Sequence, residues 1–283
     1  MKILLPLNGT PHSHKVVPHA RALARRWQAE VILMRAIDPL AFAGENFASL
    51  TTKRLEHDML EAAQEYLAQQ SAEFAGLPVR KLCVVGPARE SIRAQAFQEK
   101  CDLIMMAPYA YGALVRWMIG SVAEGVAHMA PCPVLLVRGQ ERAEPKHLLV
   151  PVDGSQLSGS VLDHLGPFVC PETRVTVLHC SGVSQEEERR SEATGAYMQR
   201  LRGELERLVE GRDRHRLEML DSLAPEGILD YLEKSDCDLV AMSTHGAGGF
   251  EQLYLGSVTD QIARRASRPV LVFPPASGSA GHV

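Results

Sequence analysis

Short apolar runs alternate along the chain with longer stretches of helical period. Residues 3–7, 31–36, 79–85, 103–106 and 134–137 are strand-length and rich in Val, Ile, Leu and Met. Between the first two, Val16, Ala20, Leu23, Ala24 and Trp27 recur on one helical face. The same alternation returns at 148–152, 175–179, 217–220, 239–242 and 270–273. Nearly continuous apolar strands separated by amphipathic helices predict a parallel sheet covered on both faces.

The alternation is duplicated in sequence as well as in pattern. KILLPLNGT at Lys2 is echoed by HLLVPVDGS at His147, CDLIMMA at Cys101 by CDLVAMS at Cys237, and APCPVLLV at Ala130 by ASRPVLVF at Ala266. The first pair is offset by 145 residues and the other two by 136, so the first copy carries about nine extra residues in its middle. The polar, proline-containing run 138–146 reads as the linker. The expectation is an α/β protein of two tandem doubly wound domains, residues 1–139 and 146–275. Each should be a five-stranded, mostly parallel sheet with helices on both faces. A length of 283 residues suits two such cores.

Composition narrows the function classes. Residues 1–140 carry 15 Lys+Arg against 12 Asp+Glu, and the remainder 15 against 22, so neither half offers the basic surface of a nucleic-acid binder. The longest apolar runs fall far short of a bilayer span, and MKILLPLNGT reads as a first strand rather than a signal peptide. A cytoplasmic protein with no membrane partner is expected. The six cysteines form no C-x-x-C pair and are read as small buried hydrophobes.

In open parallel sheets ligands bind beyond the carboxyl ends of strands, where the strand order reverses. After the first strand of the second repeat stands Asp153-Gly154-Ser155. After its fourth strand comes Ser243-Thr244-His245-Gly246, and nine residues beyond Gly246, Gly256-Ser257 opens a helix. A Gly-Ser helix start offers backbone N–H groups, a hydroxyl and the positive end of a helix dipole, which suits phosphate. Gly246, Gly248 and Gly249 would admit close backbone approach, and the Asp153 carboxylate would accept from ribose hydroxyls or an adenine amine.

These residues, with the terminal RPVLVF, resemble the universal stress protein family, and about 270 residues resemble its tandem two-domain members. The family's ATP loop reads G-x-x-G-x9-G-[ST]; the second repeat has Ser243-x-x-Gly246-x9-Gly256-Ser257, departing only at Ser243. The resemblance implies adenine and ribose contacts at Asp153, a backbone contact beside the adenine at Cys180, and ribose and phosphate contacts at Met242, Ser243, Gly246, Gly256, Ser257 and Val258. The first repeat has Asn8 for the aspartate and Ala107 and Ala110 for two loop glycines, keeping only Gly120-Ser121. A degenerate first site is therefore expected, with Ser121-x-x-Glu124 read as a capping box that keeps its Gly-Ser for structure alone.

Other features read as structural. His12, His14 and His19 lack a Cys or carboxylate at ligand spacing, so no metal site is expected. His245 and the run 186–190 (EEERR) are taken as solvent-facing. Residues 243–257 contain no Lys or Arg, and no G-x-x-x-x-G-K-[ST] loop occurs, so rapid ATP hydrolysis is not expected and no catalytic residue is assigned. The resemblance implies an ATP-binding stress-response regulator read by a protein partner. A nucleotide-independent scaffold is the alternative, and a slow enzyme acting on a nucleotide or small ligand a third reading. Strands 134–137 and 270–273 are expected to pair as an intramolecular pseudo-dimer, and the tandem either dimerises again or stays monomeric.

Overall fold

The computed structural model describes residues 1–38, 49–108, 120–138, 144–181, 192–209, 211–244 and 256–274. The chain forms two compact units, with the change from one to the other after Val137.

In the first unit β1 (Lys2–Pro6) lies between β2 (Glu30–Ile37) and β4 (Leu103–Met106). Outside β2 runs β3 (Val79–Val85), and outside β4 runs β5 (Val134–Leu136). The order is β3-β2-β1-β4-β5, and every pairing is parallel. The central strands are apolar throughout because helices cover both faces: Ile3, Leu4 and Leu5 are fully buried, as are Leu103, Ile104 and Met105. β3, on the unit's outer side, instead exposes Arg80 and Lys81, charges that blunt an edge.

The connections are α1 (Pro11–His14), α2 (Val17–Trp27), α3 (Ser49–Ser71), α4 (Ala88–Gln98) and α5 (Ser121–Met129). The helical face read from sequence is the buried one: Val16, Ala20, Leu23 and Ala24 are buried, and Trp27 is half-buried.

The second unit repeats the plan. β6 (His147–Val152) lies between β7 (Arg174–Ser181) and β9 (Leu239–Ser243), with β8 (His215–Asp221) beyond β7 and β10 (Val270–Phe273) beyond β9. All these pairings are parallel too. Its helices are α6 (Gln156–Gly159), α7 (Val161–His164), α8 (Glu192–Leu208), α9 (Glu226–Lys234) and α10 (Ser257–Arg265). In each unit the chain builds outward from the first strand in one direction and then in the other. The order therefore reverses between β1 and β4, and again between β6 and β9.

Candidate functional site

The residues that directly follow β6 and β9 stand at the strand-order reversal of the second unit. Asp153, exposed just past β6, accepts hydrogen bonds on Oδ1 from the Ser155 N–H at 3.0 Å and from the Ser158 hydroxyl at 2.6 Å. Gly154 completes the turn at φ +88°, a left-handed conformation that a side chain would strain. Ser155 is the N-cap of α6, its hydroxyl accepting from the Ser158 N–H at 3.1 Å. From α8 the Tyr197 hydroxyl donates to the Ser155 carbonyl at 3.3 Å. The aspartate is thus fixed by its own turn, and a helix from elsewhere in the unit fixes the turn.

The β9 side is held by main-chain bonds. Ser243 ends the strand, buried beside the buried Met242. Thr244 donates its N–H to Phe273 O at 2.9 Å, and its carbonyl accepts the Gly256 N–H at 2.8 Å. The buried Thr259 hydroxyl reaches back to Ser243 O at 2.9 Å. These bonds bring the two ends of the 244–256 loop together and pin the start of α10 to the end of β9. Gly246, with His245, Gly248 and Gly249, lies outside the described residues.

Gly256 is the N-cap of α10 at φ −52° and ψ 143° and supplies no side-chain cap, while Ser257 is exposed and Val258 half-exposed in the first turn. Cys180 stands near the end of β7, aligned with Leu220, and burial pushes its thiol up to about 11. A methyl group on Gly227 at the start of α9 would come within 3.2 Å of its sulfur. Such a thiol stays protonated at neutral pH and is a packing group. Sequence reasoning missed Thr259, Thr244 and Tyr197. Thr259 was open to detection as a hydroxyl three residues after the loop's last glycine, whereas Tyr197 carries no local signal.

The first unit repeats the turn and loses the clasp. Asn8 Oδ1 accepts from the Thr10 N–H at 3.0 Å and the Thr10 hydroxyl at 2.7 Å, and Gly9 sits at φ +82°. An amide therefore serves the turn as well as a carboxylate does. Pro108 and Ala123 stand where the second unit has Thr244 and Thr259, and Ala123 has no hydroxyl to donate. The capping box expected at Ser121 is not formed. The extended ψ of 146° makes Gly120 the N-cap and Ser121 the first helical residue, and a glycine has no side chain with which to cap. Ala107 ends beside β4, and Ala110 lies outside the described residues. As for the other sequence candidates, the His12 ring bonds Pro108 O, and His19 is buried on α2.

A duplicated, doubly wound sheet whose strand order reverses beside the first strand of each copy defines a tandem α/β protein. The model of the Universal stress protein family matches the chain twice, over residues 1–138 and 144–274, and the chain belongs to that family. It is 26% identical over 291 residues to a universal stress protein of Mycolicibacterium smegmatis, covering 96% of this chain and 97% of that one. It is also 35% identical over 138 residues to one from Thermus aquaticus, covering 48% of this chain and 97% of that one. Among solved structures, a universal stress protein from Archaeoglobus fulgidus superposes with a TM-score of 0.74 at 20% identity, covering 96% of this chain and 98% of that one, which is a likeness of fold. Among the described residues no helix is long and apolar enough to cross a membrane.

Proposed function

We propose that this chain is a cytoplasmic, ATP-binding stress-response regulatory protein whose nucleotide is held by the second unit. The observation that carries the reading is the pinning of Gly256-Ser257 against the end of β9, one strand away from the Asp153 turn. Asp153 takes the adenine and ribose side, and Cys180 and Met242 line that side through their backbone. Gly256, Ser257 and Val258 receive phosphate oxygens with backbone N–H groups, the Ser257 hydroxyl and the positive end of α10. Ser243 O already accepts from Thr259, so this residue serves as the hinge of the loop. Gly246 completes the phosphate loop in this reading.

What the site does chemically is bind. No Lys or Arg lies within 243–257 to stabilise charge on a transferring phosphoryl group, so occupancy rather than turnover is the output, with slow hydrolysis at most. A ligand that binds only the folded unit stabilises it by RT ln(1 + [L]/Kd), and a partner that distinguishes the two states reads that difference. Calorimetric titration of the nucleotide-stripped protein with ATP tests this. One site per chain is the expected stoichiometry; two would show that the first unit also binds. No binding would overturn the reading in favour of a nucleotide-independent interaction module.

A further inference from the structure

The sequence accounts for a degenerate first site by what it lacks: an aspartate and two glycines. The structure draws attention to what that crevice contains. Arg35, half-buried near the carboxyl end of β2, lays its guanidinium over the Tyr66 ring at 5.0 Å from Cζ to centroid. The same guanidinium lies against the Gly9 turn. A methyl group on Gly9 would come within 3.0 Å of Nη1, 3.2 Å of Nη2 and 3.3 Å of Cζ. Among the described residues no carboxylate pairs with it, so the stack on Tyr66 and the fit to a bare glycine are what hold it there.

The strand registers align Arg35 with His179 of the second unit: Pro6 pairs with Met34 and Pro151 with Leu178, each one residue earlier. His179 is buried and directs Nδ1 onto Val152 O at 3.0 Å, back along its own sheet. A methyl group on Gly154 would accordingly meet nothing within 4 Å among the described residues. Among the described residues nothing fills the space beside the Asx-Gly turn in the second unit, whereas a guanidinium fills it in the first.

A second contact crosses the same crevice. The His12 Nε2–H donates to Pro108 O, tying α1 to the end of the β4 loop. Pro108 is the counterpart of Thr244, whose carbonyl in the second unit accepts the Gly256 N–H and closes the nucleotide loop. In the first unit a side chain takes that acceptor. The residue aligned with His12 is Leu157, which has nothing to donate.

We infer that Arg35 and His12 are the residues that determine which unit accepts a nucleoside: they occupy and bridge the crevice of the first unit, so that restoring its lost glycines would not open it. This deepens the assignment of the nucleotide to the second unit and rests on that reading. The probe is adenosine, because the Asn8-Gly9 side of the crevice corresponds to the nucleoside end of the second site. The full chain carrying Gly256→Val and Asp153→Ala, to silence both the phosphate and the nucleoside side of the second unit, is compared with the same chain carrying in addition His12→Ala and Arg35→Ala, by calorimetry. The expected result is an adenosine affinity at least roughly tenfold above the background chain.

A triple variant, Asn8→Asp with Ala107→Gly and Ala110→Gly, should stay at background. Circular dichroism melts check folding. Should the alanine pair unfold, His12→Leu with Arg35→His installs the second unit's own residues and decides the matter. No gain in the side-chain variants, or a gain in the triple variant alone, overturns the inference. Failure of the parent protein to bind nucleotide overturns the assignment of the second unit instead, while a gain by the double variant would still show what closes the first.

Discussion

The backbone N–H of Gly256 donates to the carbonyl of Thr244 at 2.8 Å, so two residues twelve apart in sequence are joined at the mouth of the loop between them. That bond lets α10 begin beside the end of β9.

Gly256 adopts φ −52° and ψ 143°, which any residue tolerates. Gly256→Val should therefore keep the fold, at a cost of about 1 kcal/mol because valine caps a helix start poorly. On the proposed assignment it should also abolish nucleotide binding, by putting a branched side chain where backbone would meet phosphate. Gly246→Val should do the same. Titration with ATP beside a thermal melt separates the two effects, and full retention of affinity would show that the phosphates lie elsewhere.

Thr259→Val keeps the shape of the side chain and removes the hydroxyl that bonds Ser243 O. Losing this hydrogen bond costs about 0.5–1.5 kcal/mol, so the urea midpoint should fall. ATP affinity should fall with it, because the start of α10 is no longer pinned. An unchanged midpoint would mean that water or another donor replaces the hydroxyl.

Asp153→Asn and Asp153→Ala should part company. Asn8 shows that an amide oxygen holds this turn, so the asparagine variant should fold like the parent, whereas alanine loses the bonds from Ser155 and Ser158 and about 1 kcal/mol. Both should weaken nucleotide binding if the charge faces ribose or adenine. A melt and a titration on each variant check the pair.

At the opposite, amino end of the second sheet, Asp236 bonds Arg174 and lies 2.6 Å from Nδ1 of the buried His147, whose Nε2 is 2.9 Å from the Thr176 hydroxyl. The Arg174 bond, then the His147 bond, hold the Asp236 carboxyl down at about 2, below its ordinary 3.8. A depressed carboxylate adds stability that is fully present above the ordinary value and lost as pH falls from about 4 towards 2. Asp236 is largely exposed, so solvent screening limits the effect to about 1 kcal/mol. Asp236→Asn should be less stable than the parent at pH 7, and the gap should close across that acid window. Parallel urea curves at several pH values would reveal a gap that persists.

Much of the architecture was legible because its causes are local or periodic. A parallel strand buried on both faces must be apolar throughout, so 103–106 and 270–273 announce themselves and coincide with β4 and β10. One outer strand was read short while the other, 79–85, was read at its full length: 217–220 belongs to a strand that begins at His215, because its outer positions bear polar side chains that break the apolar run. The Asx-Gly turns were legible too, since an acceptor side chain followed by a residue free to take positive φ is a local device. The capping box was misread by one position. Which residue caps depends on where ψ turns extended, and Ser and Glu at the right spacing cannot report that.

By itself the sequence determined the duplication, the α/β plan, the family and the chemistry available after each strand. The duplication, the plan and the chemistry follow from periodicity and from residue types at short range, and the family from the resemblance of its motifs. Only the tertiary structure decided that Tyr197 secures the Asp153 turn from 42 residues away, that Thr259 clasps Ser243, and that Arg35 and His12 enter the first crevice. Those contacts depend on where separate elements come to rest against one another. A glycine reads alike in sequence whether its open side faces solvent, as at Gly154, or a guanidinium, as at Gly9, because a residue's code records its own freedom and not its neighbour's position.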